Sequence, residues 1–409
     1  QIEALRKQIE AGNKSTEEFW RQLEQKHAPL VESTEDDKQH QFVTFLWRGT
    51  PNTRNVLVLF YPFAANQTQD YEMRQLADSN VWYLTIRLPS GARFAYQLSP
   101  NDPLTFQGPD AFWRDATAQA DPLNPHRWQC ASDASKFDCQ SMVELPGAVQ
   151  QPWIDLNPST PAGKVERLTI KSSFLKSERN IAVYTPAGYR AEHKAYALLV
   201  VFDEDAYLTL VPTPVILDNL IAASKIEPTV AVLIGEPDLM ARLKDLECNR
   251  EFTDFLGREL TPWMHAHYNV TTDPRETIIG GSSLGGIAAT YAALRYPEIF
   301  GNVLSQSGAF WWAPDHNPGP DAEASTETGW LAKQFLASPK LPLRFYMDAG
   351  VFEGDFRGRG FDILGPTRHM RDVLVAKGYE VHYQQFVGGH DYLNWRGTLA
   401  DGLLALSSR

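Results

Sequence analysis

The stretch Ile278-Ile279-Gly280-Gly281-Ser282-Ser283-Leu284-Gly285-Gly286 decides the fold of this 409-residue chain. It contains Gly281-x-Ser283-x-Gly285, the spacing of a nucleophile elbow. Apolar residues before it predict a strand that ends at Ile279, and the alanine-rich segment after it predicts a helix from about Leu284. The glycines flank the serine because a side chain at either place would collide with the neighbouring strand or helix. The motif alone also fits a glycine-rich loop, so its surroundings must decide.

A candidate base for the serine lies near the other end of the chain. A serine hydroxyl needs a base to become a good nucleophile. His390, in Val387-Gly388-Gly389-His390-Asp391, directly follows the last predicted strand. An α/β-hydrolase places its histidine on such a loop, after the serine in chain order. A surface-loop histidine is the alternative, and the glycine pair and the Ser-then-His order favour the catalytic interpretation.

The base needs a carboxylate that holds its tautomer. The expected loop follows the penultimate strand and contains Asp348, Glu353 and Asp355. We favour Glu353, because Asp348 lies at the strand end and Asp355 lies farther along the loop. A Ser-His dyad without a close carboxylate stays open.

Two backbone N–H groups are expected to form an oxyanion hole. The first belongs to Leu284, which follows the nucleophile. The second belongs to Glu204 or Asp205, in the turn after the predicted strand Leu198–Phe202. These acids would act through the main chain, and their side chains are also ordinary turn and helix-capping residues.

Composition excludes several classes of protein. Hydrophobic content of 43% and aromatic content of 11% indicate packed cores rather than disorder. The net charge of −12 disfavours nonspecific nucleic-acid binding and attraction to anionic membranes. The chain has no run long enough to span a bilayer. Its length predicts two domains.

The three cysteines, Cys130, Cys139 and Cys248, are too few and too scattered for a disulfide framework or a zinc site. Cys130 and Cys139 could pair across a short loop, but we expect free thiols, because an odd count fits a reducing compartment. The first residues are charged and helical, unlike a signal peptide.

The first half of the chain reads as a helix over residues 1–27 followed by short strands separated by Pro, Asn and Gly turns, which predicts an antiparallel sandwich. Periodicity is lost from Asp121 to about Lys164, and this segment predicts a long surface linker. From about Val165, continuous apolar strands alternate with helices. They predict a mostly parallel sheet covered by helices on both faces, with two antiparallel strands at its start.

With these residues in place, the chain resembles the enterochelin (enterobactin) esterases, including the branch that acts on glucosylated enterochelin (salmochelin). The resemblance covers nearly the whole chain. It is carried by residues 281–286, by Leu304-Ser305-Gln306-Ser307-Gly308 with Trp311-Trp312, by Gly388-Gly389-His390-Asp391 before Trp395-Arg396-Gly397, by Thr44-Phe45-Leu46-Trp47-Arg48 and by Ala120-Asp121-Pro122-Leu123-Asn124-Pro125.

The resemblance implies an immunoglobulin-like β-sandwich (residues 1–150), a linker (151–164) and an α/β-hydrolase domain (165–409). It implies a cytoplasmic esterase that hydrolyses the trilactone of a ferric catecholate siderophore, with no cofactor of its own. Ser283, His390 and Glu353 fall on the family's nucleophile, base and acid. The chain departs from the family at Asp203-Glu204-Asp205, where many relatives carry Asp-Gly-Glu.

A ferric catecholate siderophore is a trianion, so an acidic protein must bind it in a concentrated cationic pocket. Arginine suits this task because its planar fork donates two bonds and stacks on rings. The candidate arginines are Arg242, Arg250, Arg357, Arg359 and Arg396, and the candidate aromatic walls are Trp311, Trp312, Trp330 and Trp395. The alternative interpretation is that most of these arginines are solvated surface charges and that most of the tryptophans belong to the hydrophobic core.

Two other functions fit parts of the sequence. One is a feruloyl or acetyl-xylan esterase on the same fold, with the sandwich as a carbohydrate module. The other is a noncatalytic ligand carrier that keeps the fold without the chemistry. Assays on both ester classes and trapping of Ser283 by a fluorophosphonate probe separate the three.

Overall fold

The computed structural model describes residues 2–12, 15–34, 36–60, 68–102, 104, 117–130, 139–192, 194–314, 329–354 and 362–407. They belong to two compact units. The first unit runs to Val149 and takes in Val387–Gly389, and the second begins at Gln150. Within the described residues, no helix combines the length and the apolar character needed to cross a membrane.

The first unit is a sandwich of two antiparallel sheets. Its elements are α1 (Ile2–Glu10), α2 (Glu17–Lys26), β1 (Leu30–Thr34), β2 (Asp37–Arg48), β3 (Val56–Phe60), α3 (Thr68–Tyr71), β4 (Arg74–Gln75), β5 (Val81–Pro89), β6 (Arg93–Pro100), β7 (Arg127–Trp128) and β8 (Gln140–Glu144). The strand orders are β1-β2-β5-β4 and β3-β6-β8-β7. Phe45 of one sheet packs against Phe60 and Tyr96 of the other, with ring centroids 5.8 and 4.9 Å apart. The predicted sandwich is confirmed, whereas the single helix over residues 1–27 is two helices.

The predicted long linker from Asp121 to Lys164 is wrong in its first part. β8 pairs with β6, so it is a strand of the sandwich. Asp121 is fully buried and accepts a hydrogen bond from the Tyr96 hydroxyl at 2.7 Å. The sequence pattern missed this segment because two very short strands and a side-chain-bonded loop carry no long period.

The expectation of free thiols at Cys130 and Cys139 is also wrong. These two cysteines form a disulfide, and their Cα atoms lie 4.7 Å apart. β7 pairs with β8 through Trp128 and Gln140, and this pairing brings the two cysteines together at the end of the ladder. Cys248 is free and buried.

The second unit is built on one eight-stranded sheet with the order β16-β15-β14-β13-β11-β12-β10-β9. Its strands are β9 (Lys164–Ser172), β10 (Ser177–Thr185), β11 (Ala197–Phe202), β12 (Thr229–Ile234), β13 (Thr277–Ser282), β14 (Asn302–Gln306), β15 (Arg344–Gly350) and β16 (Glu380–Phe386). β9 and β10 are antiparallel, and β11 to β16 pair in parallel. The predicted α/β-hydrolase architecture is confirmed.

Helices cover both faces of this sheet. They are α4 (Glu204–Thr209), α5 (Thr213–Ala222), α6 (Leu239–Leu246), α7 (Arg250–Phe255), α8 (Thr261–His267), α9 (Leu284–Arg295), α10 (Trp330–Ala337), α11 (Leu364–Ala376) and α12 (Tyr392–Ser407). Successive residues of β11 point to opposite faces, so Val200 joins the core under α9 while Leu199 joins the core under α5 and α12. This double covering explains why the strands are apolar throughout.

Residues 250–267 do not form one continuous helix. A wider π-type turn spans Leu256–Leu260 between α7 and α8. Pro262 lies at the start of α8 and lacks the N–H that a continuous helix would need there. The Leu256 carbonyl accepts from the Thr261 N–H and also from the Thr261 hydroxyl, the latter at 2.8 Å.

Candidate active site

The candidate catalytic residues lie at one edge of the large sheet. β13, β15 and β16 are parallel, and they end at Ser282, Gly350 and Phe386. Parallel strands bring their carboxyl ends to the same edge, which is where ligands bind in open α/β sheets. Ser283, Glu353 and His390 each follow one of these strand ends. The strand order therefore gathers three residues that are far apart in sequence.

Ser283 occupies a sharp turn between β13 and α9. Its backbone has φ 58° and ψ −121°, a conformation that is rare for a residue with a side chain and is typical of a nucleophile elbow. The Ser283 N–H donates to the Gln306 carbonyl at 2.9 Å. The Ser283 carbonyl accepts from the Ala309 N–H at 2.9 Å. Both bonds tie the strained turn to the end of β14, and strain of this kind persists only where the surroundings hold it.

The glycines around Ser283 are constrained to different degrees. A Cβ atom on Gly281 would lie 3.0 Å from the Phe202 ring, and one on Gly286 would lie 2.6 Å from Ser305 Oγ and 2.9 Å from the Gly308 Cα atom. On Gly285 it would meet nothing closer than 3.4 Å. The tightest requirement is therefore at Gly286, one residue beyond the Gly-x-Ser-x-Gly motif.

His390 is held by Glu353. The distance from His390 Nδ1 to Glu353 Oε1 is 2.8 Å. Glu353 Oε2 accepts from the Gly350 N–H at 2.7 Å, and the Glu353 side chain is completely buried. A histidine that donates through Nδ1 carries its basic lone pair on Nε2. This arrangement suits a base–carboxylate pair.

Asp348, the alternative acid, serves another contact. Its Oδ1 accepts from the Ser307 N–H at 2.9 Å, and its Oδ2 lies 3.4 Å from the Tyr346 hydroxyl. Complete burial raises the pKa of Asp348 to about 8. Asp355 lies outside the described residues. Of the two described candidates, Glu353 is the one that contacts His390.

Gln306 and Trp395 connect the serine turn to the histidine loop. Gln306 Nε2 donates to the Trp395 carbonyl at 2.8 Å, while the Gln306 carbonyl accepts from Ser283. The Trp395 ring lies edge-on to the His390 ring, with centroids 4.8 Å apart. Its indole N–H donates to Ser307 Oγ at 3.0 Å. Sequence reasoning treated Trp395 as a substrate wall and Gln306 only as part of a motif, and their long-range contacts leave no local signal.

The turn after β11 is the predicted location of the second oxyanion donor. Asp203 takes the left-handed conformation, with φ 58° and ψ 55°, and α4 begins at Glu204. Glu204 is therefore helical, a conformation open to any residue, so the glycine of the relatives is not needed there. Leu284 is likewise the first residue of α9. The first N–H groups of a helix have no partner within it, so these positions allow the oxyanion role of Leu284, Glu204 and Asp205, which stays a prediction.

The predicted cationic residues lie in different settings. Arg242 makes an ion pair with Asp203 at the turn, and its side chain is 21% exposed. Arg250 is 76% exposed and lies 3.9 Å from Asp254. Arg396 donates from Nε to Gln151 Oε1 at 2.8 Å. Arg357 and Arg359 lie outside the described residues.

Of the four predicted aromatic walls, two are buried, and Trp311 and Trp330 are half-buried. Trp312 is 7% exposed and meets Trp330 edge-on, with centroids 5.5 Å apart. Trp395 is buried against His390. The structure thus places Trp312 and Trp395 in the core, as expected if these tryptophans pack the interior rather than line a substrate pocket.

Comparisons with known proteins agree with this geometry. Residues 172–406 match the family described as "Putative esterase", and residues 42–154 match "Enterochelin esterase, N-terminal". An iron(III) enterobactin esterase of Escherichia coli strain K12 is 29% identical, with 96% of each chain covered. An iron(III) salmochelin esterase of Escherichia coli O6:H1 is 28% identical, covering 98% of this chain and 96% of the relative.

Solved structures give the same result. The enterobactin esterase of Shigella flexneri, crystallised in the presence of enterobactin, has a TM-score of 0.72 and 27% identity, covering 97% of this chain and 98% of its own. The ferric enterobactin esterase of Salmonella typhimurium has a TM-score of 0.75 and 26% identity, with 95% and 98% covered. The resemblance found in the sequence is confirmed over the full chain.

Proposed function

This chain belongs to the family described as "Putative esterase". On this premise we propose that it is a serine esterase that hydrolyses the trilactone ester bonds of ferric enterochelin and salmochelin. The products are dihydroxybenzoylserine units, and the reaction enables release of iron inside the cell. The observation that carries the activity is the strained Ser283 turn at the same sheet edge as the Glu353–His390 pair. The substrate class comes from relatives that are similar over the full chain.

The mechanism follows from the roles of these groups. His390 Nε2 takes the Ser283 proton as Oγ attacks a lactone carbonyl carbon. The carbonyl oxygen becomes an oxyanion, and the N–H groups of Leu284 and the Glu204–Asp205 turn stabilise it. The C–O bond to the substrate seryl oxygen breaks, and that oxygen leaves with the proton from His390. Water then attacks the acyl-enzyme with His390 again as the base, which restores Ser283.

Opening the ring helps iron release through entropy. The closed trilactone preorganises three catecholates around the metal, and the open chain must bear ordering entropy that the ring avoids. Iron enters and leaves as part of the substrate. The lack of a resident cofactor stays a prediction, as do the substrate contacts of Arg242, Arg250, Arg357, Trp312 and Arg396.

The cytoplasmic location and the division into residues 1–150, 151–164 and 165–409 also stay predictions. The Cys130–Cys139 disulfide bears on the location, because disulfides persist mainly in oxidising compartments. Fractionation of the native host, with cytoplasmic and extracytoplasmic marker enzymes, tests the location.

The decisive experiment is a product profile by chromatography. The purified chain is incubated with ferric and iron-free enterochelin and salmochelin, and with a feruloyl ester. We expect linear trimer, dimer and monomer from the siderophores and little cleavage of the feruloyl ester. Preferred cleavage of the feruloyl ester would replace the proposed substrate class. Cleavage of no ester, together with failure of a fluorophosphonate to label Ser283, would favour the noncatalytic carrier.

A further inference from the structure

A cluster of four charged or titratable residues lies beside the turn that follows β11. Its members are Asp203 in the turn, Glu236 after β12, Arg242 in α6 and Tyr392 at the start of α12. We refer to these four residues as the Asp203 cluster. Each comes from a different segment of the second unit.

Arg242 grips the Asp203 carboxylate at both oxygens. Its Nη2 donates to Oδ2 at 2.8 Å, and its Nε donates to Oδ1. The Asp203 side chain is almost entirely buried. Two parallel bonds from a planar guanidinium fix the orientation of a carboxylate as well as its distance. The pair therefore fixes the torsion angles of the Asp203 side chain, and through them its backbone.

The Asp203 backbone needs such an anchor. Its left-handed conformation is unfavourable for a residue with a side chain, although aspartate tolerates it better than most. The next two residues, Glu204 and Asp205, carry the proposed oxyanion donors. A Cβ atom added to Gly285, the residue directly after Leu284, would lie 3.8 Å from Asp203 Oδ2. The Asp203 side chain therefore lies near the start of α9, while its backbone forms the β11–α4 turn.

We propose that Arg242 is a positioning residue for the oxyanion hole, acting through the Asp203 carboxylate, and that Glu236 supports this turn. This inference rests on the proposed esterase chemistry but not on the siderophore. It assigns Arg242 a role in kcat for any ester, rather than in binding an anionic substrate.

The charge of Glu236 matters because of what surrounds it. Asp203 from the β11–α4 turn, Arg242 from α6 and Tyr392 from α12 are the charged and titratable groups that act on it. Its Oε1 lies 3.5 Å from the Asp203 N–H. Burial first, and Asp203 second, raise the pKa of Glu236 to about 8. Below that pH the cluster is neutral overall, since Arg242 and Asp203 cancel. Above it, a second carboxylate charge lies beside the place where the oxyanion forms.

The experiment compares Arg242→Ala and Arg242→Lys on two substrates. Ferric enterochelin is anionic, whereas p-nitrophenyl acetate is neutral and small. We expect Arg242→Ala to lower kcat about 10- to 100-fold on both, because a misplaced oxyanion donor costs up to about 10²–10³-fold. We expect Arg242→Lys to recover only part of the loss, since lysine cannot make the two-pronged contact. A rise in KM for ferric enterochelin, with unchanged turnover of p-nitrophenyl acetate, would overturn the proposal and make Arg242 a substrate contact.

Arg275→Ala is the matched control, because it removes an arginine whose side chain is 81% exposed and pairs with Asp273, and it should leave turnover of p-nitrophenyl acetate unchanged. Labelling with a fluorophosphonate counts the competent sites, so kcat is corrected for misfolded protein. If Arg242→Ala fails to fold, Asp203→Asn provides a nearly isosteric break of the same pair and should show the same parallel loss. If the corrected kcat of Asp203→Asn equals that of the wild type, the proposal is wrong.

Two further readouts separate positioning from general stability. The double variant Asp203→Ala/Arg242→Ala should lose little more kcat than the worse single variant, because both act through one contact. Additive losses would contradict this coupling. In the wild type, kcat should fall as the pH rises through about 8, and Glu236→Gln should remove this fall. If kcat of Glu236→Gln fell with pH as it does in the wild type, Glu236 would be excluded from the proposed support of the turn.

Discussion

Glu353 holds His390 with one carboxylate oxygen and the backbone of its own loop with the other. Oε1 lies 2.8 Å from His390 Nδ1, and Oε2 lies 2.7 Å from the Gly350 N–H. The bond to the Gly350 N–H holds the Glu353 carboxylate in place, and its other oxygen can therefore orient the histidine. A fixed partner of this kind sets the tautomer that leaves Nε2 able to accept the serine proton.

Glu353→Ala should lower kcat about 10³–10⁴-fold on ferric enterochelin, with little change in KM, because the histidine loses its orienting partner. Asp348→Asn is the matched control, because Asp348 contacts Ser307 and Tyr346 instead. Steady-state kinetics at pH 7 checks both. Full activity of Glu353→Ala would mean that the site works as a Ser-His dyad.

Ser283→Ala should abolish turnover, by at least about 10⁴-fold, while leaving the affinity for ferric enterochelin largely intact. Quenching of tryptophan fluorescence measures the affinity, and chromatography measures the products. Ser305→Ala is the control, since the Ser305 hydroxyl is buried and makes no hydrogen bond within the described part of the chain. A Ser283→Ala protein that keeps most of its activity would remove the assigned nucleophile.

Gly286→Ala should destabilise the second unit by about 1–3 kcal/mol and lower activity, because the new methyl group would overlap Ser305 Oγ and the Gly308 backbone. Gly285→Ala should have a much smaller effect on stability and activity, since the atom nearest to its new methyl group would be 3.4 Å away. Urea unfolding measures both variants. Equal costs at the two positions would contradict this ranking.

Asp348→Asn should change how stability depends on pH. The pKa of Asp348 is raised to about 8 in the folded chain, against an ordinary value near 3.8. Between about pH 4 and 8 the unfolded chain therefore loses this proton while the folded chain keeps it, and stability falls as the pH rises. We expect urea unfolding of Asp348→Asn to show a weaker fall over this window. An identical pH dependence in both proteins would place the proton elsewhere.

Thiol counting should reveal one free cysteine. Denatured protein kept without reductant should bind one equivalent of an alkylating reagent, at Cys248, and three equivalents after reduction. Mass spectrometry reads the count directly. Three reactive thiols without reductant, in protein isolated from the native host, would show that Cys130 and Cys139 are reduced there and would favour a reducing compartment.

The sequence alone was sufficient for the class of fold and for two members of the site. Apolar strands and the spacing of glycines are local signals, since each depends on neighbours only a few residues away. They located Ser283 at a strand–helix turn and His390 after the last strand. The same signals failed over residues 121–144, where the strands are too short to show a period.

Only the tertiary structure showed that Glu353, the favoured acid, contacts His390, paired Cys130 with Cys139, and placed Arg242 on Asp203. These are contacts between residues 37, 9 and 39 positions apart. The physical reason is that strand order and loop paths decide which distant side chains meet. A carboxylate or an arginine looks the same in the sequence whether it faces solvent, a histidine or another charge.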